Sequence, residues 1–213
     1  MKIAVINEGS TKIRNAEVCA ALRELGHEVV NLGMTGREGE PDLNYLHTAL
    51  LSALCLHLNM AEFVVGGCGT GQGYMNAVLQ FPDIFCGLLL DPVDALLFRQ
   101  VNAGNCVSLA LNKGYALGGD LNLKILFEQL FGGPFGNGYP EVRKAVQKAA
   151  RDGLAGLSRD AHRSMTEIIR NMNQEVLAHV LRYPGVAEAI RRAEPSAAQG
   201  AALKAELIKK LEA

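Results

Sequence analysis

The chain has 213 residues, 49% hydrophobic and 20% charged, with 21 basic against 22 acidic side chains and a formal net charge of −1. This is apolar material for one main core with an appendage, and it excludes a chain disordered throughout. The near-neutral balance also removes the bulk electrostatic case for nucleic acid, because a phosphate-tracking surface shows as a basic excess.

Met1 leads directly into Lys2-Ile3-Ala4-Val5-Ile6-Asn7, a strand-like run with no basic and apolar signal region before it. A cytoplasmic protein with reduced thiols is therefore expected. Residues 12–25 place Ile13, Ala16, Val18, Ala21, Leu22 and Leu25 largely on one helical face before Gly26. Residues 27–32 read as a second strand. Residues 42–60 read as a helix capped by Asp42 after Pro41, too apolar for a surface element and hence buried by the sheet and by a partner. The apolar stretch 46–65 has the length of a membrane span, but it contains His47, His57, Asn59 and Glu62. A bilayer core disfavours such a set by several kcal/mol, so no membrane association is expected. Residues 62–66, 84–90 and 105–110 give the third to fifth strands, and residues 72–80, 92–102 and 116–131 the helices between and after them.

Strands separated by single helices imply right-handed crossovers and a doubly wound α/β fold, with a five-stranded parallel sheet covered on both faces. A flavodoxin-like order 2-1-3-4-5 is assumed. It reverses the winding between strands one and three and opens a ligand crevice at their carboxyl ends, which carry Asn7-Glu8-Gly9 and the run from Gly66 to Gly73. The turn-rich segment 132–140 ends this unit, giving an α/β domain over 1–135 and a helical extension over 136–213. Punctuation at Gly153, Gly156, Pro184 and Pro195 divides the extension into three or four helices, which pack back on the domain or form a subunit contact. Its basic residues alternate with acids, the pattern of a solvated face.

The five cysteines, Cys19, Cys55, Cys68, Cys86 and Cys106, are odd in number and form no CxxC pair, so neither a disulfide framework nor a zinc site is expected. No HxxxH or HExxH spacing occurs, and no metal is expected. Four of the thiols lie in apolar stretches and read as core residues, whereas Cys68 sits among glycines. Five glycines fall between Gly66 and Gly73, after an apolar strand and before a helical pattern. Such a loop exposes consecutive backbone N–H groups and binds anions. It lacks the Lys-Ser/Thr ending of a P-loop, and it follows the third strand rather than the first, which weakens a dinucleotide reading. A thiol at the start of a helix among N–H donors serves as nucleophile, redox group or general base.

The strand 3–5 with an acidic residue at its end, the loop Gly67-Cys68-Gly69-Thr70-Gly71-x-Gly73 and the segment Arg99-Gln100-x-Asn102-x-x-Asn105 together resemble the family of type B ribose-5-phosphate isomerases and galactose-6-phosphate isomerase subunits. The resemblance spans roughly residues 1–150. It implies a doubly wound homodimer that interconverts aldose and ketose phosphates without metal or cofactor, with a site shared between protomers. Cys68 then moves the proton between C1 and C2, and the N–H groups of Gly69 to Gly73 hold the enediolate. Thr70 adds a hydroxyl or assists ring opening. Asn7, Glu8, Gly69, Gly71, Gly73, Asn102 and Arg143 bind substrate. The chemistry fits these residue types, since proton abstraction beside a carbonyl needs a base and preorganised donors where negative charge develops.

Several positions depart from the family pattern. The family's Asp-His at the end of strand one is Glu8-Gly9 here, and the histidine assigned to furanose opening is Val101. The tyrosine of the second strand–helix connection is replaced by Leu43. Of two phosphate-binding arginines four residues apart, Tyr139 replaces the first and Arg143 retains the second, with Lys113 or Lys144 as substitutes. The expected substrate is accordingly a pentose, tetrose or hexose phosphate that needs no ring opening, or an unphosphorylated sugar. The rival expectation is a non-catalytic protein that binds a sugar phosphate or nucleotide in the same loop. A redox role for Cys68 is the weaker alternative, because no resolving cysteine lies nearby in sequence. His47, near the start of the second helix, is weighed as a replacement imidazole and read instead as a polar group on a partly buried helix.

Overall fold

The computed structural model describes residues 1–115 and 117–212. Lys2–Asn7 forms β1, and its last five residues are buried, as in a strand covered on both faces. β2 (Glu28–Asn31), β3 (Phe63–Cys68), β4 (Cys86–Leu89) and β5 (Cys106–Ala110) complete an all-parallel five-stranded sheet. The doubly wound class is as expected. The order is β2-β1-β3-β5-β4, so the last two strands exchange the places assumed for them. Burial follows the order: every residue of β5 is buried, whereas three of the four in β4 are partly exposed. The buried strand takes the interior position beside β3 and β4 takes the edge. The reversal between β1 and β3 is untouched, and their carboxyl ends remain adjacent.

One face of the sheet carries α1 (Asn15–Glu24), α4 (Pro92–Leu97) and α5 (Gly119–Phe131) over a core that includes Val18, Leu22, Phe98, Leu126 and Phe127. A 3-10 turn, Gly9–Arg14, leads into α1, and a π turn, Phe98–Asn102, ends α4. The expected start of the fifth helix, Ala116, lies outside the described residues. The other face carries α2 (Tyr45–His57) and α3 (Gln72–Val78). The cap of α2 is Asn44 rather than Asp42. The Asn44 side chain accepts the N–H groups of Leu46 and His47, while Asp42 and the buried Leu43 lie outside the helix ahead of it.

The partner that buries α2 is the chain's own C-terminus. Leu50, Leu51, Leu54 and Leu58 are fully buried in one core with Met165 and Ile169 of α7 (Met165–Asn171), Leu177 and Val180 of α8 (Gln174–Arg182), Ile190 of α9 (Val186–Arg192) and Leu207 of α10 (Ala198–Glu212). The apolar excess of α2 is thus satisfied within one chain and carries no argument for a second subunit. Before these helices stands α6 (Lys144–Ala161), which runs straight through Gly153 and Gly156. The extension therefore holds five helices among the described residues, not three or four. Pro184 and Pro195 do fall in the breaks before α9 and α10, and the other two breaks fall at capping residues: Ser164 and Glu167 form a capping box for α7, and the Asn173 side chain caps α8. Among the described residues, no helix is long and apolar enough to cross a membrane.

Candidate active site

β1 and β3 pair with Asn7 opposite Gly67, which brings the two segments singled out in the sequence side by side. Each glycine of the loop has its own reason. A Cβ at Gly66 would fall inside the Tyr74 ring of α3, and one at Gly67 would strike the Leu109 carbonyl oxygen of β5. Gly71 has φ +75° and opens α3, with its N–H donated to the Cys68 carbonyl at 3.2 Å. The loop is pinned further by the N–H groups of Leu111 and Asn112, which donate to the carbonyls of Cys68 and Gly69 at 3.1 Å each.

Cys68 is the last residue of β3, with 6% of its surface exposed, on the sheet face that packs α2 and α3. Thr70 is exposed, and its hydroxyl lies 3.4 Å from the Gln72 N–H as acceptor. Since Gly71 and Gln72 spend their N–H groups inside the loop, the donors left without an acceptor among the described residues are those of Gly69, Thr70 and Gly73. The set expected over 69–73 narrows to these three. Gly71 acts through its backbone geometry.

Around the loop stand side chains that sequence reasoning passed over. The Asn112 amide donates to the Ser10 carbonyl at 3.1 Å, and both Asn112 and Ser10 border Gly69. The Ser10 hydroxyl donates to the Glu8 carboxylate. The Asp42 carboxyl lies against Gly9, where a Cβ would collide with it, and the Tyr45 ring borders Gly73. Tyr45 returns an aromatic ring to the connection that lost one at Leu43. Asn112 was findable in principle, because ligands bind at the carboxyl ends of parallel strands and Asn112 follows β5. Without the strand order nothing distinguished that end from its neighbours.

Three expected binding residues are placed otherwise. Asn7 is buried, and its amide is committed inward. It accepts from Asn15 at 2.6 Å and donates to the Met34 carbonyl and the Thr11 hydroxyl at 3.3 and 3.4 Å. Asn15 in turn exchanges hydrogen bonds with Asn31, so the network ties β1, β2 and α1 together beneath the crevice. Asn102 and Arg143 sit at the opposite end of the sheet from Cys68. A crossover helix returns the chain to the amino end of the next strand, and Asn102 ends the π turn just before β5. Gly136 and Gly138 donate their N–H groups to the carbonyls of Arg99 and Gln100, which holds the segment before Arg143 at that same end. Arg143 is exposed, the last residue of a 3-10 turn opening α6. At Val101, where the family has histidine, the carbonyl accepts from Arg151 at 2.7 Å. A cavity of about 630 Å³ lies nearby, between β4, α4 and α6, and does not include Cys68.

His47 does not turn into the crevice. Its Nδ1 accepts the Asn44 N–H at 3.2 Å, and its ring stacks on His179 of α8 with centroids 4.2 Å apart. Burial, reinforced by His179, pushes the His47 imidazole below its usual range against the pull of Asp42.

The model of the ribose/galactose isomerase family matches residues 3–130, more than half of the chain. The chain belongs to this family. Among solved structures, a 4-deoxy-L-threo-5-hexosulose-uronate ketol-isomerase complexed with a tartrate is similar at 36% identity and TM-score 0.91, over 100% of this chain and 99% of that one. A ribose-5-phosphate isomerase from Vibrio parahaemolyticus is similar at 34% identity and TM-score 0.89, over 100% and 98%. One from Thermotoga maritima is similar at 25% identity and TM-score 0.55, over 70% and 97%. The first two therefore share the helical extension, and the third matches a shorter chain. No curated protein matches the sequence.

Proposed function

We propose that this isomerase interconverts the aldose and ketose forms of an open-chain, unphosphorylated uronate-type sugar, with Cys68 as the base. The observation that carries the substrate class is the combination retained and lost: the cysteine and the unpaired N–H groups of its loop remain, while the ring-opening imidazole and one of two phosphate arginines are gone. A phosphate carries close to two negative charges and a carboxylate one, so a single guanidinium matches the carboxylate, bidentately. The full-length likeness to a hexosulose-uronate ketol-isomerase points the same way. Sugar phosphates are the second reading, favoured by the equally complete likeness to the Vibrio enzyme.

In this reading the Cys68 thiolate takes the C2 proton of the aldose. The C–H electrons form the C1–C2 double bond, and the negative charge moves to O1, where the N–H groups of Gly69, Thr70 and Gly73 receive it. The O2 proton passes to O1, the C2–O2 carbonyl forms, and the thiol returns its proton to C1. Glu8, Ser10 and Asn112 offer acceptors and donors for the sugar hydroxyls. Arg143 and Asn102 cannot reach that substrate from the far end of the same sheet, so a second copy supplies them in a homodimer.

The test is incubation of the protein in deuterium oxide with open-chain uronates and with pentose, tetrose and hexose phosphates. Label at the exchanging carbon of a uronate is expected. Label in phosphates alone overturns the substrate class, and label in none of them overturns the isomerase reading in favour of a binding protein.

A further inference from the structure

Resting on that isomerase reading, we infer that His179 and Tyr183 are positioning residues, through which the C-terminal helical extension holds Asp42 at the mouth of the crevice. The segment between β2 and α2 arches over the end of β1. The Gly9 N–H donates to the Leu43 carbonyl at 2.8 Å and the Met34 N–H to the Asn7 carbonyl at 3.0 Å, which brings the Asp42 carboxyl against Gly9. That carboxyl has no hydrogen-bond partner among the described residues, so both oxygens are free to accept sugar hydroxyls.

What fixes the arch from outside is α8 and the residue that ends it. His179 Nε2–H donates to the Asp42 carbonyl at 2.7 Å. The Tyr183 hydroxyl donates to the Glu40 carboxylate at 2.9 Å and lies 3.4 Å from the Gly33 carbonyl. Glu40 gathers the turn inward by accepting the Thr35 and Gly36 N–H groups at 2.8 to 3.0 Å. His47, stacked on His179, adds the α2 cap to the same assembly. Tyr183 is buried, so the hydroxyl is held by packing rather than by solvent. The extension thus reaches the crevice through two hydrogen bonds to a loop that has no secondary structure of its own. A binding group on such a loop keeps its place only through supports of this kind.

The test uses the full chain with the substrate found in the exchange panel, and the variants His179→Ala, His179→Gln, Tyr183→Phe and Asp42→Asn, alone and combined. His179→Ala and Tyr183→Phe are expected to raise KM by about tenfold with a smaller change in kcat, a fraction of the roughly hundredfold that a full ångström of misplacement can cost. His179→Gln, which keeps an N–H donor, is expected to restore KM. In the Asp42→Asn background, His179→Ala should change nothing further, because it acts through that carboxylate. Amide exchange at Thr35 and Gly36, measured in parallel, should quicken in Tyr183→Phe. An unchanged KM in both single variants, a full additional effect in the double variant, or no rescue by glutamine overturns the positioning role while the wild type remains active. A wild type inactive on every member of the panel overturns the isomerase reading and this role with it.

Discussion

Gly66 has no room for a side chain, because Tyr74 fills the space above it, and the Tyr74 hydroxyl is itself fixed by Ser52 at 2.6 Å and Cys106 at 3.5 Å. Gly66→Ala must displace a fully buried ring, and urea unfolding is expected to show a loss of roughly 1–3 kcal/mol or more. Tyr74→Phe keeps the volume and removes the hydroxyl. Ser52 still donates to the Thr48 carbonyl, so about 1 kcal/mol is the expected cost by the same measurement. The density of glycines was legible in the sequence, but their division of labour was not. Gly66 and Gly67 admit neighbouring elements, Gly71 turns the chain, and Gly69 and Gly73 keep N–H groups without an acceptor among the described residues, a distinction that depends on Tyr74 and Leu109 arriving from other elements. The same holds for Asn7: its position at a strand end suggests a ligand contact, but its hydrogen-bond partners Asn15 and Met34 belong to segments brought to it by folding.

At the scale of elements, α2 shows what a sequence pattern states and omits. Its apolar run declared that both sides of the helix are covered, and the second cover is the chain's own α7 to α10 rather than another molecule. Leu54→Ala is expected to lower stability by about 2–5 kcal/mol, the range for a fully buried leucine, read from the denaturation midpoint. The edge placement of β4 was missed because its apolar letters do not reveal its partial exposure. Two imidazoles give the assembled elements a pH dependence. Burial, helped by the N-terminal charge, lowers His27, and burial, helped by His179, lowers His47, both from the ordinary 6.5. A histidine whose folded pKa lies below its unfolded value is neutral in the fold, and the unfolded chain binds more protons. Its contribution is complete above about pH 6.5 and is lost as pH falls through the folded value. The urea midpoint is therefore expected to fall as the pH is lowered below about 6.5, and less steeply in His47→Gln. A midpoint independent of pH across that range contradicts the assignment.

For the molecule as a whole, the two ends of the sheet divide the candidate site: Cys68 and its loop at the carboxyl end, Asn102 and Arg143 at the amino end. This division and the exposed apolar side chains Val142, Val146, Leu154 and Leu157 along α6 and the turn before it are the grounds for a homodimer. Sedimentation equilibrium is expected to give twice the monomer mass, and Val146→Asp with Leu157→Asp to give the monomer with turnover lost. A wild-type monomer with full activity contradicts the shared site. The near-neutral net charge supplies no long-range attraction, so the proposed anionic substrate has to be met locally, in this reading by loop N–H groups and one arginine. The central claim, that Cys68 moves the proton, is tested most directly by solvent deuterium incorporation into the substrate in Cys68→Ser and Cys68→Ala. Loss of label by about a hundredfold or more is predicted, with the thermal midpoint of both variants near that of the wild type. Undiminished label in either variant would contradict it.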